Sequence, residues 1–342
     1  MKPSDFDYDL PEGLIAQEPV EPRDASRLLV LSRAGGPSGH LRFSDLPELL
    51  APGDLLVLND TRVIPARLLG RKESGGRCEL LLVADLGGAG DRWRAMGQAS
   101  KPLRPGSRLA FGELSAEVEA AEGEGFFLVR FDRGGAALLA ALERQGRTPL
   151  PPYIRREPTD ADRERYQTVL ARHPGSAAAP TAGLHFTEEL LGRLARRGVE
   201  RATVTLHIGP GTFLPLRAET VAGHRMHAER YFVPEETARA VAACQERGGR
   251  LVAVGTTTVR ALEAALSGST LRPGWGETDL FIHPGYPFRV VEALVTNFHL
   301  PRSSLLMLVC AFGGREQVLG AYREAVARGY RFYSYGDAMV IL

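Results

Sequence analysis

In one stretch of this sequence the pattern of apolar runs differs from that in the rest of the chain. That difference constrains the fold more than any other feature. Between residues 65 and 131 the chain consists of brief β-type runs separated by Gly-rich turns: ELLLV, DRWRAMGQ, SRLAFG, SAEVEAA and FFLVRF. A spacing of about ten residues between such runs is typical of a small barrel or sandwich. A predicted helix over 136–144 and a rigid PLPPYIRR segment then close the stretch, as the tether of an inserted domain does.

After residue 160 the pattern becomes α/β. Segments with helical apolar periodicity alternate with β-branched runs, which predicts helices between strands of one sheet. The predicted helices are DADRERYQTVLARH, TEELLGRLARRG, PEETARAVAACQERG, TTVRALEAALSG and REQVLGAYREAVARG, and the predicted strands are ERATVTLHI, RLVAVG, TDLFI and RVVEALVT. Two further strands are predicted before the insertion, at RLLVL and at residues 55–58. A length of 342 residues also exceeds what one core usually organises. We therefore expect an α/β domain made of both chain ends and interrupted by a β domain.

The composition favours a folded protein and gives no global sign of nucleic-acid binding. Apolar residues make up 44% and charged residues 24%, and the formal net charge is only +1. Any RNA-binding surface must therefore be a local basic patch. Two groups of basic residues could face phosphates or simply be solvated surface charge: Arg62, Arg67, Arg71 and Lys72 form one, and Arg155 and Arg156 form the other.

The cysteines and the apolar segments indicate the cellular compartment. Cys78, Cys244 and Cys310 are odd in number and widely spaced, which excludes a disulfide framework and any CxxC metal or cluster cradle. The N-terminus lacks a basic region followed by an apolar run, and the longest apolar segment, residues 305–312, is too short to span a bilayer. We expect a cytoplasmic protein.

Histidines near strand ends are the first candidates for chemistry. In TLHIGPGTF a β-branched strand leads to His207 and then to Gly209 and Gly211, whose small size lets backbone amides approach a ligand. Loops at strand ends are where α/β proteins place binding groups. His207 is therefore either a structural histidine or part of a site.

A second histidine group, in HRMHAERY, raises the question of a metal. His224, His227 and Glu229 contain ligand types that hold zinc or iron. Their spacing is not an established metal signature, and on a helix Glu229 would not share the face of the two histidines. We therefore favour hydrogen-bonding roles and expect no metal. Neither GxGxxG after the first strand nor GxxxxGK[ST] occurs, so a cofactor held by Rossmann or P-loop geometry is not expected.

Two predicted helix N-termini offer free backbone amides. In APTAGLHFT a loop of small residues precedes Thr187, a plausible N-cap, and in VGTTTVRALE a strand reaches Gly255 before a helix that carries Arg260 one turn inside. Arg260 is either a surface ion pair or a clamp for a carboxylate or phosphate. Further polar residues at predicted strand boundaries are Glu277, Thr278, Asp279, Asn297, His299 and, near the C-terminus, Asp337.

Nine motifs in order resemble one known family. NDTRVIPAR, PLPPYI, APTAGLHFT, TLHIGPGTF, HRMHAE, VGTTTVRALE, GETDLFIHPGY, VTNFHLPRSSLLML and YRFYSYGDAM together resemble the ribosyltransferase-isomerases of queuosine synthesis and span nearly the whole chain. The departures are small: members commonly read HVGAGTF and TTSVRSLE, where this chain has Pro210, Thr258 and Ala261. Because Pro210 removes an amide donor, we assign it no backbone contact.

The resemblance implies a fold and an activity. The fold is a large α/β barrel-like domain, residues 1–64 and 150–342, with an inserted small antiparallel β-barrel domain and its closing helix, residues 65–149. The activity is transfer and rearrangement of the ribosyl moiety of S-adenosylmethionine onto 7-aminomethyl-7-deazaguanine at the tRNA wobble position, which gives epoxyqueuosine and releases adenine and methionine. S-adenosylmethionine is then a consumed cosubstrate, without a tightly bound cofactor or metal. We expect a monomer that binds the tRNA anticodon loop and has no obligate protein partner.

The chemistry needs a base and an acid. A sulfonium acidifies its neighbouring carbons, so a base can remove a ribose 5′ proton, and adenine leaves only when it is protonated. The candidate catalytic residues are His207, His227, His299, Glu229, Glu277 and Asp337. The sequence leaves open which is acid and which is base. Phe213, Phe298 and Tyr335 could stabilise the sulfonium by cation–π contact or could be core residues.

Binding candidates follow from the same motifs. For S-adenosylmethionine and the base they are Thr181, Gly183, His185, Phe186, Gly209, Gly211, Thr212, Phe213, Thr256, Thr257, Arg260, Asp279, Asn297, Phe298 and Tyr335. For tRNA, whose target base must be splayed from its stack, they are Asn59, Asp60, Arg62, Arg67, Lys101, Arg155 and Arg156. Two alternatives remain: a metal-dependent hydrolase that uses His224, His227 and Glu229, and a noncatalytic RNA-binding module.

Overall fold

A computed structural model of the chain describes residues 1–209, 216 and 220–342. Its largest sheet contains nine strands. In chain order these strands are β1 (Arg27–Leu31), β2 (Gly39–Arg42), β3 (Leu55–Asn59), β12 (Glu200–Leu206), β13 (Glu229–Val233), β14 (Leu251–Val254), β17 (Gly274–Thr278), β18 (Ala293–Asn297) and β19 (Ala338–Ile341). Their order across the sheet is β17-β13-β12-β3-β14-β18-β19-β1-β2.

The sheet places several loops at a single edge. Strands β12, β3, β14 and β18 run parallel to one another, and β19 is antiparallel to β18 with Ala338 opposite Asn297. The carboxyl ends of the four parallel strands therefore meet the start of β19. Because β3, β14 and β18 are buried along their whole lengths, polar side chains can appear only where these strands end.

The inserted β-barrel is present. Six strands close on themselves in the order β10-β7-β6-β5-β8-β9. They are β5 (Arg67–Lys72), β6 (Arg77–Asp85), β7 (Arg92–Ala99), β8 (Arg108–Phe111), β9 (Leu114–Gly123) and β10 (Phe126–Phe131), and helix α1 (Gly135–Gln145) follows them. The mixed α/β fold with a small antiparallel barrel is thus confirmed.

Separate groups of buried side chains fill the two parts. The barrel and α1 share a core that includes Leu80, Trp93 and Leu142. The large sheet packs against helices on both faces: Phe298 and Met307 belong to the core on one face, and Leu190 belongs to the core on the other. This separation is what two domains require. The domain boundaries, 1–64 with 150–342 and 65–149, stay a prediction.

Most of the helices that the apolar periodicity predicted are present. Besides α1, the α-helices are α2 (Asp160–Arg165), α3 (Glu188–Arg196), α4 (Glu235–Glu246), α5 (Thr256–Ala264), α6 (Ser304–Gly313) and α7 (Arg315–Ala327). Short strands β4 (Thr61–Val63) and β11 (His173–Ser176) pair with each other, as do β15 (Leu266–Ser267) and β16 (Thr270–Leu271). No helix among the described residues is long and apolar enough to cross a bilayer. Cys78, Cys244 and Cys310 are free and buried.

Several elements differ from the sequence-based expectation, and three of these differences have a clear physical reason. The helix predicted over 160–173 ends at Arg165, because the chain turns at the fully buried Tyr166 and continues toward β11. The strand predicted at TDLFI, residues 278–282, is wrong in position: the observed strand is Gly274–Thr278, and the chain turns after it because the Thr278 hydroxyl accepts from the Leu280 amide. Helix α6 was not predicted: it is buried on nearly all sides and so has no amphipathic period to detect.

Candidate functional site

A large cleft lies between the β-barrel and the end of the nine-stranded sheet. Its volume is about 1060 Å³. From the sheet side it is lined by His207, Gly209, Glu229, Arg230, Trp275 and Glu277, from the barrel side by Val83, Asp85, Trp93, Arg94 and Phe126, and from the connecting segment by residues 223–228. Clefts between domains are the usual place for binding and chemistry. Four predicted catalytic residues, His207, His227, Glu229 and Glu277, therefore share one space.

His207 follows the last residue of β12, as the sequence predicted. Its Nδ1 lies 2.8 Å from the hydroxyl oxygen of Thr61. Burial lowers the pKa of His207 to about 4, and the nearby Arg230 guanidinium contributes to the shift. The ring is therefore neutral at pH 7, and within the described part of the chain no hydrogen bond engages its Nε2. A neutral imidazole with a free nitrogen is suited to accept a proton.

Glu229 and Arg260 form an ion pair beside His207. Both side chains are buried. The second Glu229 oxygen accepts from the Gly209 amide at 2.9 Å, and the Arg260 guanidinium also donates to the backbone carbonyls of Leu280 and Thr278, at 3.0 and 3.3 Å. Arg260 is thus neither on the surface nor free for a ligand. The pair fixes the start of the glycine segment that follows His207.

The segment before β13 connects the cleft to the barrel. The half-buried His227 packs its ring on Phe126 of β10, with centroids 5.1 Å apart, while the His224 ring contacts Phe281 at 5.0 Å. Glu277 is exposed on β17. His224, His227 and Glu229 do not form a metal-type cluster, and no group of three or more His, Cys, Asp or Glu suited to a metal occurs among the residues described.

A smaller cavity lies at the carboxyl ends of β14 and β18. We call it the strand-end cavity; its volume is about 50 Å³, which is room for a few atoms. Its lining contains Thr181, Ile208, Thr256, Thr257, Asn297, Phe298, His299, Tyr333 and Ser334. Ile208 lies between His207 and Gly209 of the cleft, so the end of β12 borders both spaces. Six predicted site residues meet here, although they come from three separate motifs.

His299 and His185 are held differently from His207. Burial lowers the pKa of both to about 3. His185 uses both ring nitrogens, on Ser26 at 2.7 Å and Asn297 at 3.1 Å, which is a structural arrangement. His299 Nε2 lies 2.8 Å from the Thr296 hydroxyl, and across the described regions its Nδ1 makes no hydrogen bond.

Two polar atoms of the strand-end cavity have no partner among the described residues. They are Oδ1 of Asn297 and the hydroxyl of Tyr333, and both are buried. The Asn297 amide nitrogen donates to the Tyr333 carbonyl at 3.0 Å, so the two residues are locked together. Tyr333 also has a φ of 73°, in the left-handed region that side chains rarely adopt. Unpaired buried groups and backbone strain are both costly and concentrate at binding sites.

Other predicted binding residues lie around this cavity or outside it. Thr187 caps α3 through the Leu190 amide at 3.0 Å, and Gly183 leaves no room for a side chain, since a Cβ would lie 2.8 Å from Thr168. Phe186 packs on Phe43 in the core.

Two of the remaining predicted binding residues are not part of this cavity. The Tyr335 hydroxyl donates to Asp162 at 2.9 Å. Asp279 is exposed. Gly211, Thr212 and Phe213 lie outside the described residues.

Asp337 joins the C-terminal strand to the first strand. Its oxygens accept from the Arg27 amide at 2.9 Å, the Arg27 Nε at 3.2 Å and the Arg331 amide at 2.8 Å. The carboxylate is buried, and it does not line the cleft or the strand-end cavity.

The predicted tRNA contacts fall into three groups. Asn59 and Asp60 are buried, and Asp60 accepts from the Thr205 hydroxyl at 2.6 Å. The basic residues Arg67, Arg155 and Arg156 form ion pairs with Glu79, Glu12 and Asp162, respectively. Arg62 and Lys101 are exposed, and in the described ranges neither side chain has a charged partner. Arg62 pairs with Pro174 across β4 and β11, and Pro174 lines the cleft.

Sequence reasoning missed three residues of these sites. Thr61, which holds His207, is in the NDTR motif but carries no catalytic signature of its own. Tyr333 is one of several aromatics near the C-terminus. Trp275, which lines the cleft and is 59% exposed, is expected in a core because tryptophan usually buries most of its surface.

Comparison with known proteins identifies the family. A family model described as queuosine biosynthesis protein matches residues 3–341. The chain belongs to this family. A relative from an Anaeromyxobacter species, named S-adenosylmethionine:tRNA ribosyltransferase-isomerase, is 68% identical over 100% of this chain and 99% of its own. A relative of the same name from Geobacter metallireducens is 55% identical over the whole of both chains.

A solved structure extends the comparison to three dimensions. The crystal structure of an S-adenosylmethionine tRNA ribosyltransferase from Thermotoga maritima is 42% identical to this chain, with a TM-score of 0.58 over 99% of this chain and 100% of the other. The family resemblance that the motifs carried is thus confirmed in both sequence and fold.

Proposed function

We propose that the protein transfers the ribosyl moiety of S-adenosylmethionine to 7-aminomethyl-7-deazaguanine in tRNA and rearranges it to epoxyqueuosine, with release of adenine and methionine. The observation that carries this proposal is the shared name of relatives 54–68% identical over nearly the whole chain. The cleft supports it, since a cleft of about 1060 Å³ is large enough for a nucleoside cosubstrate and a splayed base together.

His207 acts as the base in this proposal. It is neutral at pH 7, lies at the cleft and is oriented by the Thr61 hydroxyl at 2.8 Å. Thr61 either donates to Nδ1 or accepts from it, and in both cases it fixes the ring plane and aims Nε2 at the cleft. Removal of the 5′ proton beside the sulfonium then leaves that proton on Nε2. Glu229 and Arg260 position Gly209 and do not transfer protons.

The proton that adenine needs comes from His227 or Glu277, the other candidates that line the cleft. His299 borders the strand-end cavity instead. We assign Asp337 a structural role, because its oxygens are already engaged by Arg27 and Arg331.

The strand-end cavity binds the amino-acid end of S-adenosylmethionine in this proposal. The free Tyr333 hydroxyl donates to the α-carboxylate, and Oδ1 of Asn297 accepts from the α-ammonium group. The small volume fits these few atoms and excludes the adenine ring. Because Ile208 separates the cavity from His207 by one residue, the ribose then lies toward the cleft.

Arg62 contacts a tRNA phosphate in this proposal, with Lys101 as a further candidate. Arg67, Arg155 and Arg156 would have to exchange ion pairs to do so. We also propose that the protein acts in the cytoplasm as a monomer, with no tightly bound cofactor or metal and no obligate protein partner.

The test is a product assay. The enzyme is incubated with S-adenosylmethionine and tRNA that carries the aminomethyl-deazaguanine base, and adenine, methionine and the mass of the tRNA are measured. We expect adenine and methionine in equal amounts, matched by one ribosyl-derived addition per tRNA. Formation of S-adenosylhomocysteine with methylated tRNA would contradict the proposal. Full activity of chelator-treated protein that metal analysis shows to be free of metal would exclude the metal-dependent hydrolase alternative.

A further inference from the structure

An exposed tryptophan stands at the rim of the cleft, and neither the fold nor the chemistry above uses it. Trp275 lies on β17, the edge strand of the nine-stranded sheet, and is 59% exposed. The other tryptophan, Trp93, is buried in the barrel core. Exposure of a large apolar ring to water is unfavourable. A tryptophan exposed in a cleft therefore indicates a ligand that covers the ring when it binds.

Three neighbouring strands align their side chains with this ring. His207 follows β12, Arg230 is on β13 and Trp275 is on β17. The Arg230 guanidinium lies over the Trp275 ring at 5.0 Å. The His207 and Trp275 ring centroids are 6.2 Å apart, with only 28° between their planes. The Trp275 ring is therefore close to parallel with the imidazole that we assign as the base, at a distance that a neighbouring nucleobase can span.

The charge around the ring favours a polyanion. The exposed arginines Arg62, Arg172 and Arg225 make no side-chain hydrogen bond or ion pair with any described residue, and the Arg230 guanidinium lies over the tryptophan ring. Arg62 and Arg172 lie on or beside the paired strands β4 and β11, which border the cleft, and Arg225 lines it. Glu277 lies opposite Arg230 in the strand register without an ion pair to it, and the other carboxylates that line the cleft are Asp85, Glu124 and Glu229, the last of which is paired with Arg260.

We propose that Trp275 and Arg230 form a stacking platform for a nucleobase next to the modified base in the tRNA anticodon loop. This inference rests on the proposed function. Single-stranded RNA is recognised by stacking of unpaired bases on aromatic rings and guanidinium planes. When the target base enters the cleft toward His207, its neighbour in the chain arrives at the rim, where Trp275 offers the exposed flat surface and Arg230 a cation for the adjoining phosphate.

The first experiment is fluorescence. Because the chain has two tryptophans and Trp93 is buried, W93F leaves Trp275 as the sole reporter. The variant is titrated with an RNA hairpin of the anticodon stem and loop, and we expect saturable quenching of its emission. The same titration of W275F, which keeps Trp93, serves as the control. Trp93 lines the barrel side of the cleft but is only 3% exposed, so its emission should change much less than that of Trp275. Binding of the hairpin without quenching of Trp275 would overturn the platform.

The second experiment is kinetic. Loss of one stacked base corresponds to about a 5- to 150-fold rise in KM for tRNA, so we expect W275L to show this rise and W275F to retain most of the affinity. KM for S-adenosylmethionine should stay unchanged. Leu69, also exposed but outside the cleft, provides the control L69A, which should leave both constants unchanged. R230K should retain more tRNA affinity than R230Q.

Three results would overturn the inference. An unchanged KM for tRNA in W275L would show that the ring binds no base. A rise confined to the KM of S-adenosylmethionine would assign the ring to the cosubstrate. A dimer in the unmodified protein that W275L dissociates, without loss of hairpin binding, would assign the edge strand to self-association. The fluorescence and hairpin binding need no turnover, so they are interpretable even if the product assay contradicts the proposed function.

Discussion

Arg260 donates to Glu229 in an ion pair buried beside the end of β12, and the same carboxylate accepts from the Gly209 amide. The two residues come from different motifs and from different elements, since Arg260 is on α5 and Glu229 begins β13. Their contact therefore links the helix, the strand and Gly209.

Removing one partner of this pair should destabilise the protein strongly. E229Q leaves Arg260 buried without a counter-charge, which costs about 3–5 kcal/mol of unfolding free energy. Chemical denaturation measures this loss. The exposed pair between Arg197 and Glu48 gives the matched control, in which E48Q should cost at most about 1 kcal/mol. Equal losses in the two variants would show that burial of the pair contributes nothing.

Replacement of His207 should abolish most turnover without preventing folding. H207A removes the proposed base, so we expect kcat to fall about 10²- to 10⁴-fold. H40A is the control, because His40 forms hydrogen bonds with Tyr330 and Glu324 away from the cleft. The folded fraction of the H40A protein should keep a normal kcat.

For the unmodified enzyme, a pKa of about 4 for His207 predicts that this group produces no rise in kcat between pH 6 and 8. A T61V variant with an unchanged acidic limb of the pH profile would remove Thr61 from its positioning role.

Tyr333 should affect ligand binding more than stability. Y333F deletes a hydroxyl that has no partner within the described residues, so the unfolding free energy should stay constant or rise by about 1 kcal/mol. KM for S-adenosylmethionine should rise about tenfold, as expected for the loss of a hydrogen bond to a charged group. The control is Y166F, because the Tyr166 hydroxyl is also buried but does not line the strand-end cavity. A normal KM in Y333F would contradict the proposed binding of the amino-acid end.

Stability should decline in mild acid because of buried neutral histidines. His185 and His299 have folded pKa values of about 3 against an ordinary 6.5. Above pH 6.5 both states are neutral, so no stability is lost; below it the unfolded chain binds protons that the folded chain refuses. Each histidine therefore costs about 2 kcal/mol at pH 5. Urea midpoints between pH 7 and 5 measure the slope, which should flatten in H185Q and persist in a variant of the exposed His173, H173Q.

Arg62 should contribute electrostatically to tRNA binding. R62E should weaken binding and reduce the slope of log Kd against log salt by about one, as expected for one lost phosphate contact. R196E, on α3 and outside the cleft, is the charge-matched control. An R62E slope equal to that of R196E would exclude a phosphate contact at Arg62.

Local patterns in the sequence predicted the elements that their neighbours along the chain determine. The barrel strands alternate in burial, and Thr187 caps its helix as its position predicted. A helix that is buried on nearly all sides has no alternation of apolar and polar residues, and α6 was not predicted for that reason. Where a side chain closes a turn, as Thr278 does, the predicted strand was placed four residues too far along the chain.

The sequence by itself determined the family, the order of the elements and the position of His207 at a strand end, because each depends on residues close together in the chain. Only the tertiary structure decided that Arg260 faces Glu229, that Asp60 is buried and that Trp275 is exposed. Those outcomes depend on which strands become neighbours in the sheet. The energies of burial and pairing act between segments far apart in sequence, so no local pattern records them.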